Sequence, residues 1–540
     1  MRKGIYVDYA ATSPLDSSVL KAMMPYLKKE YGNPSSAHIF GQKARAAIES
    51  SREQVAKLLR AEPIEIVFTS GATEANNLAI TGLVQSLGKA HVVVSEIEHE
   101  SVLSVIKELE KQKKITVTYV SVGKDGLVDV EDIHRAITKD TRLVSVMSAN
   151  SEIGTVQPIR EIGKLIEDMN EKRSNKIFFH TDAVQAIQFL SCNVTKLRVD
   201  LLTFSAHKIY GPKGVGALFV KRGTPINSQV LGGGQELGMR SGTENVAGIV
   251  GLGASAEDIQ SPKTEVRNIK MRQLRDKIIQ WVEKNIEGTS LTGSALKRLE
   301  NNVHIMFEGL DGKDIVLLLD QKGIAASAGS ACSENAQEPS HVLKAMGYSD
   351  TEASSGVRLT LGKYTTASEI EKAIKAFNSV VDQLKDYTKN PDDPRDNHAY
   401  EKFVEKQVEK TFLKRESESS SGSSGGKMEE KEYSILKNKV RSLVNAPSGK
   451  PDLGSEWNQI NSLLFGKIES KRSGIFYSKN FERVVTYMSY DVSTISSEIQ
   501  FCLGAVQSLS SSPTEKEIKH VLTLVCKGGK IELFPDITVR

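Results

Sequence analysis

The chain has 540 residues, 39% of them apolar and 26% charged, with a formal net charge of +4. That length requires two or three folding units with hydrophobic cores, and so small a charge excess gives no ground for direct binding to nucleic acid or to an anionic membrane. No apolar run approaches membrane-spanning length, and the four cysteines, Cys192, Cys332, Cys502 and Cys526, are too widely spaced for a disulfide framework or a paired zinc motif, so free thiols in a reducing, cytoplasmic setting are expected.

The opening MRKGIYVDYAATSP meets Asp8 before an apolar core of signal-peptide length could form. From Glu65 to Val220, apolar stretches such as IEIVFTS, AHVVVSE, LVSVMSA, KIFFHTD and LLTFSAH alternate with longer segments of helical character, the rhythm of a parallel α/β sheet. FTSGATEANNLAI puts Gly71, Ala72 and Thr73 between a strand and a helix, where backbone N–H groups and the helix dipole attract phosphate; alone, this turn is a weak signal. SEIEHESVL places His99 after the next strand. An imidazole there could stack on a cofactor ring and shuttle protons, although a lone strand-end histidine is more often structural. KIFFHTDAVQ delivers Asp182, then Gln185, to another strand end, where an aspartate could simply cap a helix.

In LLTFSAHKIYGPKGVGALFV a buried-type strand ends at Ser205, His207 and Lys208. Polar groups at such a terminus face the ligand crevice. A lysine there can form a Schiff base with an aldehyde cofactor, and the serine hydroxyl and imidazole suit a phosphate. Taken alone, Lys208 reads more plainly as a solvated turn lysine. Asp182 alters that weighting, because pyridoxal phosphate is an electron sink only while its ring nitrogen stays protonated, and a carboxylate holds the proton there.

Beyond Gly242 a helical stretch from Thr243 leads to a second, predicted from Val266 to Glu287, and then NVHIMFEG and VRLTLG read as strands of a second, smaller α/β layer. Cys332 falls in ASAGSACSENAQEPS, a small and polar stretch that predicts a loop thiol able to act as nucleophile, where a structural cysteine would favour an apolar face. Arg358, in VRLTLG, offers the bidentate guanidinium that a free amino acid's carboxylate needs, although in isolation a surface arginine at a strand end is also an acceptable reading.

The expected division is a large cofactor-binding domain over 15–260, a small domain over 1–14 and 261–388 bearing the Cys332 loop, a linker over 389–427 rich in charge and serine, and an accessory module over 428–540. That module reads as small, mainly helical α+β. Cys502 is in register with Ile495, Ile499, Val506 and Leu509 and so faces its core, while Cys526 closes a helix at the negative end of the dipole. Both positions disfavour a reactive thiol, so a tethered docking or regulatory role is expected rather than covalent thiol chemistry.

Taken together, YVDYAATSP, YGNPSSAH, SGATEANN, EHESV, NSEIGTVQP, HTDAVQ, SAHKIYGPKG, GGGQELGMRSGTEN, GSACSENAQEPSHVLKAMG and VRLTLGKYTT resemble, in order and spacing over about residues 4–385, the cysteine desulfurases of the NifS and IscS type. The resemblance implies a type I pyridoxal-phosphate fold and a homodimer with its sites at the interface. It implies that Lys208 carries the cofactor, Asp182 pairs with the pyridine nitrogen, and Gln185 contacts the ring hydroxyl. Ala72, Thr73, Ser205 and His207 would hold the phosphate, with Thr243 reaching that of the neighbouring subunit. His99 would stack on the ring and serve as base for the substrate thiol, Asn150 and Arg358 would bind the L-cysteine carboxylate, and Cys332 would take the sulfur as a persulfide for an acceptor protein, either an iron–sulfur scaffold or a thiolation protein. Two departures stand out: Leu237 in GGGQELGMR and Lys363 in LGKYTT, where the family pattern favours arginine. A selenocysteine lyase or an aminotransferase would share Lys208 and Asp182 but an aminotransferase does not need Cys332; a non-catalytic sulfur-transfer scaffold would not need the full set.

Overall fold

The computed structural model describes residues 4–329 and 339–388, with two short strands farther on, Phe476–Tyr477 and Glu532–Leu533, which pair antiparallel. Cys332, the expected linker, and the expected module with Cys502 and Cys526, that strand pair apart, lie outside the described residues.

In chain order the first elements are β1 (Ile5–Tyr6), α1 (Ser17–Lys28), α2 (Ile39–Leu59), β2 (Ile66–Thr69), α3 (Ala72–Leu87), β3 (Ala90–Ser95), α4 (Glu100–Lys111), β4 (Ile115–Val120) and α5 (Val130–Ala136). Then come β5 (Thr141–Ser145), α6 (Ile159–Asn170), β6 (Phe178–Asp182), α7 (Val194–Leu197), β7 (Leu201–Ser205), β8 (Gly216–Val220), α8 (Val246–Ile259) and α9 (Pro262–Asn285). The remainder are β9 (Thr289–Leu291), β10 (Asn302–Phe307), α10 (Gly312–Gln321), β11 (Ile324–Ala325), α11 (His341–Ala345), α12 (Asp350–Ser354), β12 (Gly356–Thr360) and α13 (Ala367–Thr388).

Seven strands form one sheet in the order β2-β8-β7-β6-β5-β3-β4. Alternation along each strand splits the apolar residues between two cores: Val92, Val94, Leu143, Phe178 and Leu218 pack on one face, and Val93, Val144, Phe179, Phe204 and Phe219 on the other. Both faces are therefore covered by helices, as near-continuous apolar strands require. The expectation of a parallel sheet holds for β3 to β7, but β8 runs antiparallel to both β7 and β2. The reason is the short connection: the turn between Ser205 and Gly216 is too short for a parallel crossover, so the chain returns beside itself.

A three-stranded antiparallel sheet, β12-β10-β9, carries Arg358, while β1 pairs in parallel with β11. The helix expected over Val266–Glu287 is Pro262–Asn285; Ser261 caps it by accepting from Lys263 N–H, and Pro262 sits where its missing N–H is harmless.

Candidate active site

The C-terminal ends of β6 and β7 lie side by side, with Asp182 in register with Thr203, so Asp182 and the Ser205–Lys208 turn emerge at one edge of the sheet. Asp182 is buried and oriented at both oxygens: Oδ1 accepts from Val184 N–H at 2.9 Å and Oδ2 from Asn76 Nδ2 at 2.8 Å. Lys208 Nζ donates to the carbonyls of Ala10 and, at 2.8 Å, Ala11. Gln185 Nε2 donates to the same Ala10 carbonyl at 3.1 Å. One backbone oxygen thus gathers Lys208 and Gln185. His207 faces Thr12, its Nδ1 3.1 Å from the hydroxyl. Burial, then Lys208 and Lys213, push its pKa down to about 3, so the ring is neutral.

At the N-terminus of α3, Gly71 is the cap and presents the amides of Ala72 and Thr73, which the first turn of a helix leaves without intrahelical partners. A Cβ on Gly71 would meet nothing within 4 Å, so this terminus opens onto space. Gly216 does the opposite, since a Cβ there would lie 2.8 Å from the Gly71 backbone; only glycine lets β8 approach so closely. Ser205 is buried, its hydroxyl 3.4 Å from the Val215 carbonyl, while Thr73 is exposed and shares with His99 the wall of a cleft of about 650 Å3 between α3 and α4. Carboxylate, amine, neutral imidazole and open helix terminus are the donor set that pyridoxal phosphate requires, and they fit that group.

His99 is the N-cap of α4: its Nδ1 accepts from Ser101 N–H at 3.0 Å. Arg358 is no surface arginine, being 1% exposed. Its Nη2 donates to Asp8 Oδ1 at 2.9 Å and its Nη1 to the Ser151 carbonyl at 3.2 Å, while Nε has no partner among the described residues. Asn150 is buried, but its side chain already braces its own loop, donating to the Ile97 carbonyl at 3.0 Å and accepting from Glu152 and Ile153 N–H. Thr243 is exposed ahead of α8.

Several residues around the site were not singled out by the sequence. Asp8 holds Arg358, Asn76 and Ser101 stand between Asp182 and His99, and Glu98 and Glu152 are fully buried carboxyls. Burial raises the pKa of Glu98 well above the usual range and also raises that of Glu152. Glu152 Oε1 lies 3.7 Å from Nε2 of the buried His304, whose pKa burial pushes down to about 3, so that imidazole is neutral. No periodicity betrays a buried carboxyl; only Glu98 could have been flagged, as the polar neighbour of His99 just after a buried strand. Leu237 is exposed in left-handed backbone (φ 59°), and Lys363 pairs with Asp16 and Asp258 while stacking 4.3 Å above the Tyr210 ring.

The model of the class-V aminotransferase family matches residues 5–373. The cysteine desulfurase IscS of Dictyoglomus turgidum is 44% identical over 389 residues, covering 71% of this chain and 96% of that protein. Cysteine desulfurase IscS 1 of Archaeoglobus fulgidus is 45% identical over 382 residues, covering 70% and 97%. Among solved structures, a NifS-like protein superposes with a TM-score of 0.65 at 35% identity over 71% of this chain and 99% of that one. A chain described as SspA in complex with cysteine gives 0.59 at 37% identity, covering 67% and 100%. With the match spanning nearly the full length of these relatives, the chain belongs to the class-V aminotransferase family, among the cysteine desulfurases of the NifS/IscS type.

Proposed function

We propose that the chain converts L-cysteine to L-alanine with pyridoxal 5'-phosphate at the β6 and β7 strand ends, and that Cys332 takes the sulfur as a persulfide. The observation that carries this reading is the meeting of Lys208 and Gln185 on the Ala10 carbonyl, beside the strand end that bears Asp182. When bound, the cofactor would hold the substrate amino group covalently and withdraw electrons from its carbons.

The chain's own residues do the rest. Asp182, fixed at both oxygens, holds a positive charge on the ring nitrogen. The Gly71–Thr73 terminus, Ser205 and His207 hold the phosphate by N–H and O–H donation. Arg358 fixes the substrate carboxylate, and Asn150 stiffens the loop whose Ser151 carbonyl aligns it. Lys208 is the base that moves the α-proton. Cys332 Sγ, as thiolate, bonds to the substrate sulfur while that sulfur's bond to carbon breaks; the electron pair stays with carbon, which takes up a proton on the way to alanine. His99 exchanges protons at this step.

The wider reading has the enzyme as a cytoplasmic homodimer in which Thr243 reaches the neighbour's phosphate, with an iron–sulfur scaffold or a thiolation protein receiving the sulfur. The exposure of Thr243 agrees with it. Among the described residues no helix is long and apolar enough to cross a membrane.

The test is an assay of alanine and persulfide from cysteine. Lys208→Ala should lose the visible cofactor band and turnover, by about a thousandfold or more. Cys332→Ser should bind cysteine, with a spectral change, and form no persulfide. Full alanine production by Lys208→Ala would sink the assignment.

A further inference from the structure

A continuous run of hydrogen bonds joins the two groups expected to flank the cofactor ring. Asp182 Oδ2 accepts from Asn76 Nδ2 at 2.8 Å. The same amide nitrogen donates its second hydrogen to Ser101 Oγ, also at 2.8 Å. Ser101 Oγ lies 2.8 Å from His99 Nδ1. Asn76 is fully buried, and Ser101 and Asp182 are nearly so, which shelters the run from competing water.

The direction of each bond follows from elementary donor counting. A carboxylate offers no hydrogen, so the amide must turn its NH2 group toward Asp182; the reversed amide would set its carbonyl against the carboxylate. Having accepted from Asn76, the Ser101 hydroxyl keeps its single hydrogen for His99 Nδ1. The Ser101 backbone N–H reaches the same nitrogen at 3.0 Å, as helix capping dictates. A backbone N–H can only donate. Two donors thus converge on Nδ1, which can accept from neither if it carries a hydrogen of its own. In the neutral ring the proton is then on Nε2.

We propose that Asn76 and Ser101 are positioning residues that tie Asp182 to His99 and keep the exchangeable proton of His99 on Nε2. The consequence for the reaction is an order of events. A ring that already bears hydrogen on Nε2 enters as a proton donor at that atom and can accept there only after giving one up. The expectation that His99 first strips the substrate thiol is therefore revised: His99 first meets a developing anion as a hydrogen-bond donor through Nε2–H, and can take a proton at that atom only once its own has been passed on. The inference rests on the desulfurase reading for its substrate, but the position of the proton does not depend on that reading.

The experiment labels histidine ring nitrogens with 15N in the full-length protein, assigns His99 by loss of its signals in His99→Gln, and records Nδ1 and Nε2 in cofactor-free and cofactor-loaded forms. A pyridine-type Nδ1 and a pyrrole-type Nε2 are expected in both forms. A protonated Nδ1 in either form overturns the proposal, whatever the enzyme's activity. Ser101→Ala leaves only the backbone donor, and Asn76→Ala cuts the run in the middle. Each is expected to lower kcat about tenfold with KM for cysteine unchanged, the size of one lost hydrogen bond. Ser101→Thr, which keeps the hydroxyl, is expected to recover most of the loss. Because Asn76 is buried, its variant is read only if its thermal midpoint stays near that of the parent, and Ser101→Ala carries the test otherwise. If Ser101→Ala and Ser101→Thr both leave kcat and the nitrogen signals unchanged, these residues do not position His99.

Discussion

Arg358 Nη2 donates to Asp8 Oδ1 at 2.9 Å, joining residues 350 positions apart. The pair couples the start of the described chain to β12, the strand that carries Arg358. Because Asp8 takes one end of the guanidinium and the Ser151 carbonyl another, the plane of the fork is set before substrate arrives.

Arg358→Lys keeps the charge and loses the fork, so KM for cysteine should rise about 10- to 100-fold with a smaller change in kcat. Asp8→Asn should raise KM about threefold, because the arginine stays charged but is held by a weaker acceptor. Steady-state kinetics with saturating cofactor decides the matter. An unchanged KM in Arg358→Lys would falsify the carboxylate role.

Glu236, in the turn Glu236–Gly238, is a buried carboxylate that bonds to the β2 edge of the large sheet. Its oxygens accept from Arg52 Nη1 and Nη2 at 2.9 and 2.8 Å, and Oε2 also accepts from Phe68 N–H at 2.8 Å. Glu236→Ala leaves the Phe68 N–H without its acceptor and the Arg52 guanidinium with only Glu49 and the Ile66 carbonyl, and should cost about 3 kcal/mol. A urea midpoint within error of the parent's would contradict this account of the loop that precedes Leu237.

Glu98 gives a stability that depends on pH in a stated direction. Burial is the leading cause of its raised pKa, and its Oε1 accepts from Met147 N–H at 2.6 Å. A carboxyl whose folded pKa lies above its ordinary value of 4.5 contributes stability fully below that value, and the contribution is lost as pH rises through the folded pKa. Glu98→Gln can still accept from Met147 but never ionises. Its stability relative to the parent should therefore increase from pH 5 to pH 8. A difference that is flat across pH rules out a titrating Glu98.

Cys192 should be chemically silent. It is buried, and burial pushes its pKa up to about 12, so almost no thiolate exists at pH 8. Alkylation of the native protein followed by peptide mapping should leave Cys192 unlabelled, and unfolding in urea should make it react. Labelling of Cys192 at equal rates in native and unfolded protein would show that the core around it opens freely.

The sequence made the strand ends legible because buried strands are continuous apolar runs, and polar residues that interrupt them mark the edge of the sheet. Lys208, Asp182 and Gln185 lie there as expected. The direction of β8 was not legible from apolar content; it follows from the brevity of the Ser205–Gly216 connection. Arg358 left two readings open, because a strand gives no sign of whether its neighbour will bring a carboxylate, and Asp8 arrives from the far end of the chain. Asn76 and Ser101 look like ordinary helix residues; their meaning lies in a geometry between α3 and α4 that no single helix pattern encodes.

The parallel pairing of β1 with β11, Ile5 with Ile324 and Tyr6 with Ala325, has a consequence for biosynthesis. The ribosome delivers one strand more than three hundred residues before its partner, and Ala10 N–H, which bonds to the Thr360 hydroxyl, waits longer still. Because the Ala10 and Ala11 carbonyls also receive Lys208, the lysine's setting and the arginine's alignment are completed together, by the same late closure of the N-terminal segment. A nascent chain released early would hold a formed central sheet yet lack a competent pocket, so acquisition of activity should trail acquisition of helical signal during synthesis or refolding.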